Sequence, residues 1–195
     1  EPLWTGPSTA VEVRAVDDDG AGTPRLELID PGGAPQDDDI GKEASGAANA
    51  AVAAPSIITR QQWGADESLR NCTPRIATSL KAAVVHHTVG SNNYSPADSA
   101  AIVRGIYAFH TEGRGWCDVG YNFLVDRWGI VFEGRSGGAD SPVIGAHTGG
   151  FNTGTMGISM MGTFTSAQPP ADMLESVARV IAWKFDRAGV DPQAN

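Results

Sequence analysis

At 195 residues, with 41% hydrophobic side chains, the chain can form one domain of ordinary size plus an extension. Its net charge of -9 is uneven: residues 1–54 hold eleven Asp and Glu against three Lys and Arg, and residues 55–195 hold twelve against eleven. No basic patch is present to offset phosphate, which argues against a nucleic-acid partner, and no apolar run reaches the about 18 residues of a membrane span.

The chain opens at Glu1 without Met and without the basic and apolar regions of a leader, as a processed export product or a cloned fragment does. Residues 9–16 alternate apolar and polar, an Asp-Gly turn follows, and residues 25–29 return. This pattern predicts a small β-hairpin over residues 1–30. The Asp triplets at 17–19 and 37–39 lack the spacing of an EF-hand loop and read as solvated turns. Residues 31–54, rich in Pro, Gly, Asp and then Ala, read as a flexible linker. The main domain is placed at 55–195.

Within it, Thr59-Arg60-Gln61-Gln62-Trp63-Gly64 reads as a short helical turn closed by Gly. Ala82-Ala83-Val84-Val85-His86-His87-Thr88 reads as a strand leaving the core, and sites are commonly built at such ends. Neighbouring side chains of a strand face opposite ways, so His86 and His87 cannot both face one site. One faces a pocket and the other packs or caps. A neutral imidazole there suits a zinc ligand or a general base, or the two form a hydrogen-bonded structural pair.

Ser95-Pro96-Ala97-Asp98 opens a helix, with Ser as N-cap and Pro at the first position. Its apolar stripe is Ala100, Val103, Tyr107 and His110, and Gly113-Arg114-Gly115 ends it. Strands at 122–126 and 130–134 flank Arg127-Trp128-Gly129 as a hairpin. A short apolar piece at 143–146 and a buried strand at 157–162 follow. Pro170 opens the last helix, whose expected stripe is Leu174, Val177, Ala178, Ile181, Ala182 and Phe185, with Gly189 past its end. Strands and helices alternate, so the fold class is α/β: a mixed central β-sheet covered by helices. The two cysteines, Cys72 and Cys117, read as free thiols in a cytosolic protein and as a bridge in an exported one.

The motifs Arg60-Gln61-Gln62-Trp63-Gly64-Ala65, Val85-His86-His87-Thr88, Gly115-Trp116-Cys117-Asp118-Val119-Gly120-Tyr121-Asn122-Phe123, Glu133-Gly134-Arg135 and Gly145-Ala146-His147-Thr148, with Phe151-Asn152 and Gly157-Ile158, stand in this order. The set, covering about residues 55–195, resembles the peptidoglycan recognition protein family within the zinc-dependent N-acetylmuramoyl-L-alanine amidases. The resemblance implies that His86 is a zinc ligand and that Tyr121 is the catalytic tyrosine beside the metal. It implies that His110, Arg114, His147 and Asn152 line the cleft for a muramyl peptide, and that Cys72 and Cys117 form a disulfide. Peptidoglycan is then the partner, Zn2+ the cofactor, and the protein is secreted or cell-wall associated.

The residue chemistry agrees, since amide hydrolysis needs an activated water and oxyanion stabilisation, which zinc and a phenol hydroxyl supply. Taken singly, Tyr121 also reads as a core tyrosine, His110 as a buried structural histidine and His147 as a loop hydrogen-bonder. The family's second His and its Cys ligand are expected past the last helix, in a Gly-His-Arg…Cys-Pro-Gly stretch, and no His follows His147 and no Cys follows Cys117. One ligand of three is therefore matched. A chain cut before the other two is expected over a non-catalytic peptidoglycan-binding module. The 195 residues alone are expected to bind zinc weakly and to lack appreciable amidase activity.

Overall fold

The computed structural model describes residues 52–192. The expected hairpin at 1–30 and almost all of the linker at 31–54 lie outside these residues. The first described elements form around the Trp63 motif. Strand β1 is Ile57–Ile58, and helix α1, Arg60–Trp63, is capped by Thr59. The Thr59 hydroxyl accepts from the Gln62 backbone, the Gln62 side chain returns to the Thr59 N–H, and Gly64 closes the turn at φ 76°.

Strand β2 is Ala82–His87, β3 is Phe123–Val125, β4 is Val131–Glu133 and β5 is Thr155–Met160. They make one sheet in the order β1-β4-β3-β5-β2. β3 and β4 are the expected antiparallel hairpin, while β2, β5 and β3 run parallel, as do β1 and β4. The sheet is mixed, as the alternation of strands and helices predicted.

Helix α2, Ser99–Ala108, packs on one face, and helix α3, Ala171–Ala188, on the other. α2 follows a short 3-10 turn in which the Ser95 N–H and hydroxyl both donate to Asp98. Each face has its own apolar core. Val103 and Tyr107 of α2 pack with Trp63, Leu124, Phe132 and Met161; Met173, Val177, Val180 and Trp183 of α3 pack with Phe123, Val125, Val131 and Ile158. Burying side chains of this size stabilises by about 1.5–3 kcal/mol each.

One expectation needs correction. The buried stripe of α3 is rotated: Met173, Val180 and Trp183 go inward with Val177, while Leu174 is 46% exposed. Methionine, valine and tryptophan on the neighbouring face are equally apolar, and the sheet surface, not hydropathy, selected among them. The short apolar piece at 143–146 makes a single bridge, Val143 to Ile76. Among the described residues no helix is long and apolar enough to cross a membrane.

Candidate functional site

The sheet register sorts the two histidines. Ile58, Phe132, Leu124, Ser159 and His86 lie side by side in one row across the sheet. Leu124 and Phe132 pack with α2, so this row faces α2. The next row, Ile57, Val131, Val125, Met160 and His87, faces α3. His87 therefore points away from His86. Its Nδ1 accepts the Phe164 N–H at 2.8 Å, and its ring lies against Phe164. The strand alternation thus resolves into His86 on the α2 side of the sheet and His87 packing on the other.

His86 ends a row that is apolar up to Ser159, and polar groups gather around it. The Tyr121 ring lies 5.5 Å from His86 and 5.5 Å from His110, between the two. Tyr121 is carried by the loop between the cysteines and β3. The Cys72–Cys117 disulfide closes the base of that loop, as the resemblance implied. Asp118, fully buried, pins it further: its carboxylate accepts from Arg60, the Val119 N–H, and the Ser136 N–H and hydroxyl. Gly134 packs so closely on Tyr121 O that a side chain there has no room.

His110 enters the cleft from a π turn, Phe109–Gly113, that follows α2. The widened turn is closed by the Arg114 N–H donating to Phe109 O at 2.9 Å. Such turns re-aim side chains and recur at functional sites. The Gly120 N–H donates to His110 Nδ1 at 3.2 Å, so the neutral ring carries its hydrogen on Nε2 and is a donor there. The Trp116 ring lies 4.7 Å from His110, and the Arg114 guanidinium stands over Phe109 and Trp116. Phe109 is 57% exposed beside this cation.

His147 and Asn152 share one loop. Asn152 turns to its own loop, where Oδ1 accepts the His147 and Thr148 N–H groups at 2.8 and 2.9 Å. His147 lies against His86, with His86 Nε2 and His147 Nδ1 3.0 Å apart. A Cβ on Gly157 or Gly145 would fall on the His147 ring, so both glycines make its berth.

The site is kept uncharged. Burial, with the positive Arg114 and Arg135 nearby, holds the His110 pKa down at about 4. Burial, with His86 beside it, does the same to His147, also at about 4. Burial and then His87 lower His86, and burial raises the Tyr121 phenol. At neutral pH three neutral imidazoles and a protonated phenol stand together.

Whether these groups hold a zinc ion is a matter of donors. His86, a neutral imidazole at a strand end, suits one ligand position. A catalytic zinc takes three protein ligands. Among the described residues no group of three or more His, Cys, Asp and Glu converges, and both cysteines are spent in the disulfide. The described residues, 52–192, do not complete a zinc site.

Ser159 escaped the sequence reading. It is fully buried between His86 and Leu124, with the Tyr121 phenol beside its hydroxyl. A serine inside an apolar strand is the only signal the sequence carries for it. Asp118 and Trp116 stood inside a quoted motif, but their contacts with Arg60 and His110 depend on the fold.

A mixed sheet with a helix on each face is an architecture shared with solved structures. Drosophila peptidoglycan recognition protein SD superposes with a TM-score of 0.63 at 27% identity, covering 70% of this chain and 78% of that one. Peptidoglycan recognition protein LE, solved in complex with tracheal cytotoxin, a monomeric diaminopimelic acid-type peptidoglycan, superposes at 0.62 with 32% identity over 69% of this chain and 76% of that one. In sequence, peptidoglycan recognition protein 1 of Bos indicus is 37% identical over 138 residues, 70% of each chain. The chain belongs to the N-acetylmuramoyl-L-alanine amidase family, whose profile matches residues 77–195, on its peptidoglycan recognition protein branch.

Proposed function

We propose that this domain binds the muramyl-peptide unit of peptidoglycan in the cleft of His86, Tyr121 and His110. We propose further that the reaction the cleft serves is hydrolysis of the amide between N-acetylmuramic acid and L-alanine. The observation that carries the reading is the placement of the Tyr121 ring between two neutral histidines, the half-buried His86 and the buried His110, 5.5 Å from each.

Each group has work suited to that ligand. The exposed Phe109 ring with the Arg114 guanidinium offers an apolar face and a cation to an amphipathic sugar–peptide. His110 Nε2–H is a fixed donor, because Nδ1 already accepts from Gly120. The Tyr121 hydroxyl, kept protonated by burial, can donate to a carbonyl oxygen as it gains negative charge. Peptidoglycan recognition protein LE, a relative of the same fold, is bound to tracheal cytotoxin in its structure. Hydrolysis also needs an activated water, which zinc supplies in this family when bound, and the ligand set for it exceeds what residues 52–192 hold. The recognition role thus rests on the groups present, and His86 is the zinc ligand in the hydrolytic role. The disulfide suits an oxidising compartment, consistent with work at the cell wall.

The test is co-sedimentation of the 195-residue chain with insoluble peptidoglycan, alongside muropeptide release with and without zinc. Co-sedimentation is expected, weakened in Arg114→Ala and His110→Ala, with no detectable release. A chain that stays in the supernatant overturns the binding reading. Release that survives a chelator overturns the zinc reading. Any product with a new reducing sugar end, in place of a new L-alanine amino terminus, overturns the choice of bond.

A further inference from the structure

The two sulfurs of the Cys72–Cys117 disulfide have unlike surroundings. Both residues are half-buried, but Cys72 stands between the exposed Asn71 and Thr73, whereas Cys117 leads into the fully buried Asp118. The larger difference is Arg135. Its Nη2 donates to Cys117 Sγ at 3.1 Å, while its Nη1 donates to Val119 O at 3.0 Å. The guanidinium is thus fixed against one sulfur. The Asp118 carboxylate nearby already accepts from Arg60, Val119 and Ser136, so its charge is balanced. On the other side, Arg70 donates to Cys72 O and to Glu67, and among the described residues no cation is hydrogen-bonded to Cys72 Sγ. A disulfide opens when a thiolate attacks one sulfur and the other departs as a thiolate, and the sulfur of lower pKa departs faster. A guanidinium beside a sulfur lowers that pKa. Cys117 is therefore the leaving sulfur, and the more accessible Cys72 is the one attacked.

We propose that Cys72 is a thiol-exchange site, at which a low-molecular-weight thiolate adds to Cys72 Sγ while Cys117 leaves as a thiolate paired with Arg135. In that step the bond between the two cysteine sulfurs breaks and a bond between Cys72 and the incoming sulfur forms. The negative charge passes from the incoming sulfur to Cys117, and one disulfide replaces another with no net oxidation. A second thiolate that takes the first off Cys72 completes the reduction, leaving two cysteine thiols and an external disulfide. Arg135 acts through Cys117 and is a positioning residue. The bridge closes the base of the loop that carries Tyr121, so the exchange makes that loop answer to the thiols around the protein. The Asn71 N–H, donating to Cys117 O at 3.2 Å, and the Asp118 anchor remain to hold the loop once the bridge opens. The exchange stands whatever the cleft binds.

The 195-residue chain, with its bridge intact, is exposed at neutral pH to excess reduced glutathione and quenched at early times with N-ethylmaleimide. Digestion and mass spectrometry then show which cysteine carries which group. Glutathione on Cys72 with maleimide on Cys117 is expected about tenfold over the reverse pairing. In urea, where the Arg135 contact is lost, the bias is expected to vanish. Arg135→Gln removes the charge and should slow opening of the folded chain about three- to tenfold and divide the adduct between the cysteines. Arg135→Lys, which keeps the charge, should keep the bias. Glutathione mainly on Cys117, or equally on both, overturns the proposal. So does a bias that persists in urea, which assigns it to local sequence, or an Arg135→Gln variant with bias and rate unchanged. A folded chain that forms no adduct under conditions that open the unfolded chain overturns it as well, because Cys72 is then out of reach. The bias is read in the unchanged chain, so a variant that fails to fold leaves the test intact.

Discussion

Arg60 and Asp118 form a buried ion pair, Nη1 to Oδ1 at 3.2 Å, with side-chain exposures of 7% and 0%. The pair ties the Trp63 helix to the loop that carries Tyr121. Arg60 also donates to Glu67 and to Gly134 O, and its guanidinium stands over the Trp63 and Tyr107 rings. Asp118→Ala leaves Arg60 charged and buried and frees the Val119 and Ser136 donors together. Removing one partner of such a pair costs about 3–5 kcal/mol. Urea denaturation should show the midpoint falling accordingly; a midpoint near that of the unchanged protein would mean that water or Glu67 replaces Asp118.

The disulfide is the second tie on the same loop. Cys72 and Cys117 are 45 residues apart, and the loop-entropy relation gives about 4 kcal/mol for closing a loop of that size. Cys72→Ser with Cys117→Ser should lose stability of that order. Because Cys117 lies four positions before Tyr121, the peptidoglycan affinity of the double variant should fall even at temperatures where it is folded. Comparing co-sedimentation with the melting curve tests both effects.

Gly157 matters for space. Its missing side chain is where the His147 ring lies. Gly157→Ala forces His147 off His86 or bends β5, and overpacking of this kind costs about 1–3 kcal/mol. The Cβ also removes the berth of His147, so ring-nitrogen shifts of His86 should change in this variant. An unchanged His86 signal would show that the ring has another place to go.

Acid should destabilise the fold through His110. Burial holds its folded pKa at about 4, against 6.5 for the free side chain. Above 6.5 neither state is protonated and the contribution is complete. As the pH falls from 6.5 toward about 4, the unfolded chain takes up a proton that the folded chain refuses, so stability drops across that window. Denaturation midpoints measured through it should decline, and His110→Gln should decline less steeply. Equal slopes in both proteins would assign the loss to other groups.

Much of the fold is local and was legible in the sequence. Thr59 and Gly64 cap their helical turn by chemistry contained within six residues. Arg127-Trp128-Gly129 turns one strand back on the next, and Gly189 ends the last helix. Alternation also required His86 and His87 to part, because a strand has only two faces. Which of them meets the cleft needed the sheet order, since only the packing of α2 over Leu124 and Phe132 makes one face the site. The buried stripe of α3 was misread for a related reason: two adjacent faces of that helix are apolar, and the choice between them lies in the sheet beneath.

The site divides in the same way. Residue types and motif order by themselves led to the family and offered His86 and Tyr121 as candidates, because those motifs stand in sequence whatever the fold does. That His147 closes on His86, that Asp118 anchors the Tyr121 loop through Arg60, and that Ser159 is buried between His86 and Leu124 were decided by tertiary structure alone. His147 lies 61 positions from His86 and Asp118 lies 58 from Arg60, and no periodicity or propensity reaches across such separations. Only the closing of the sheet brings those partners within hydrogen-bonding distance.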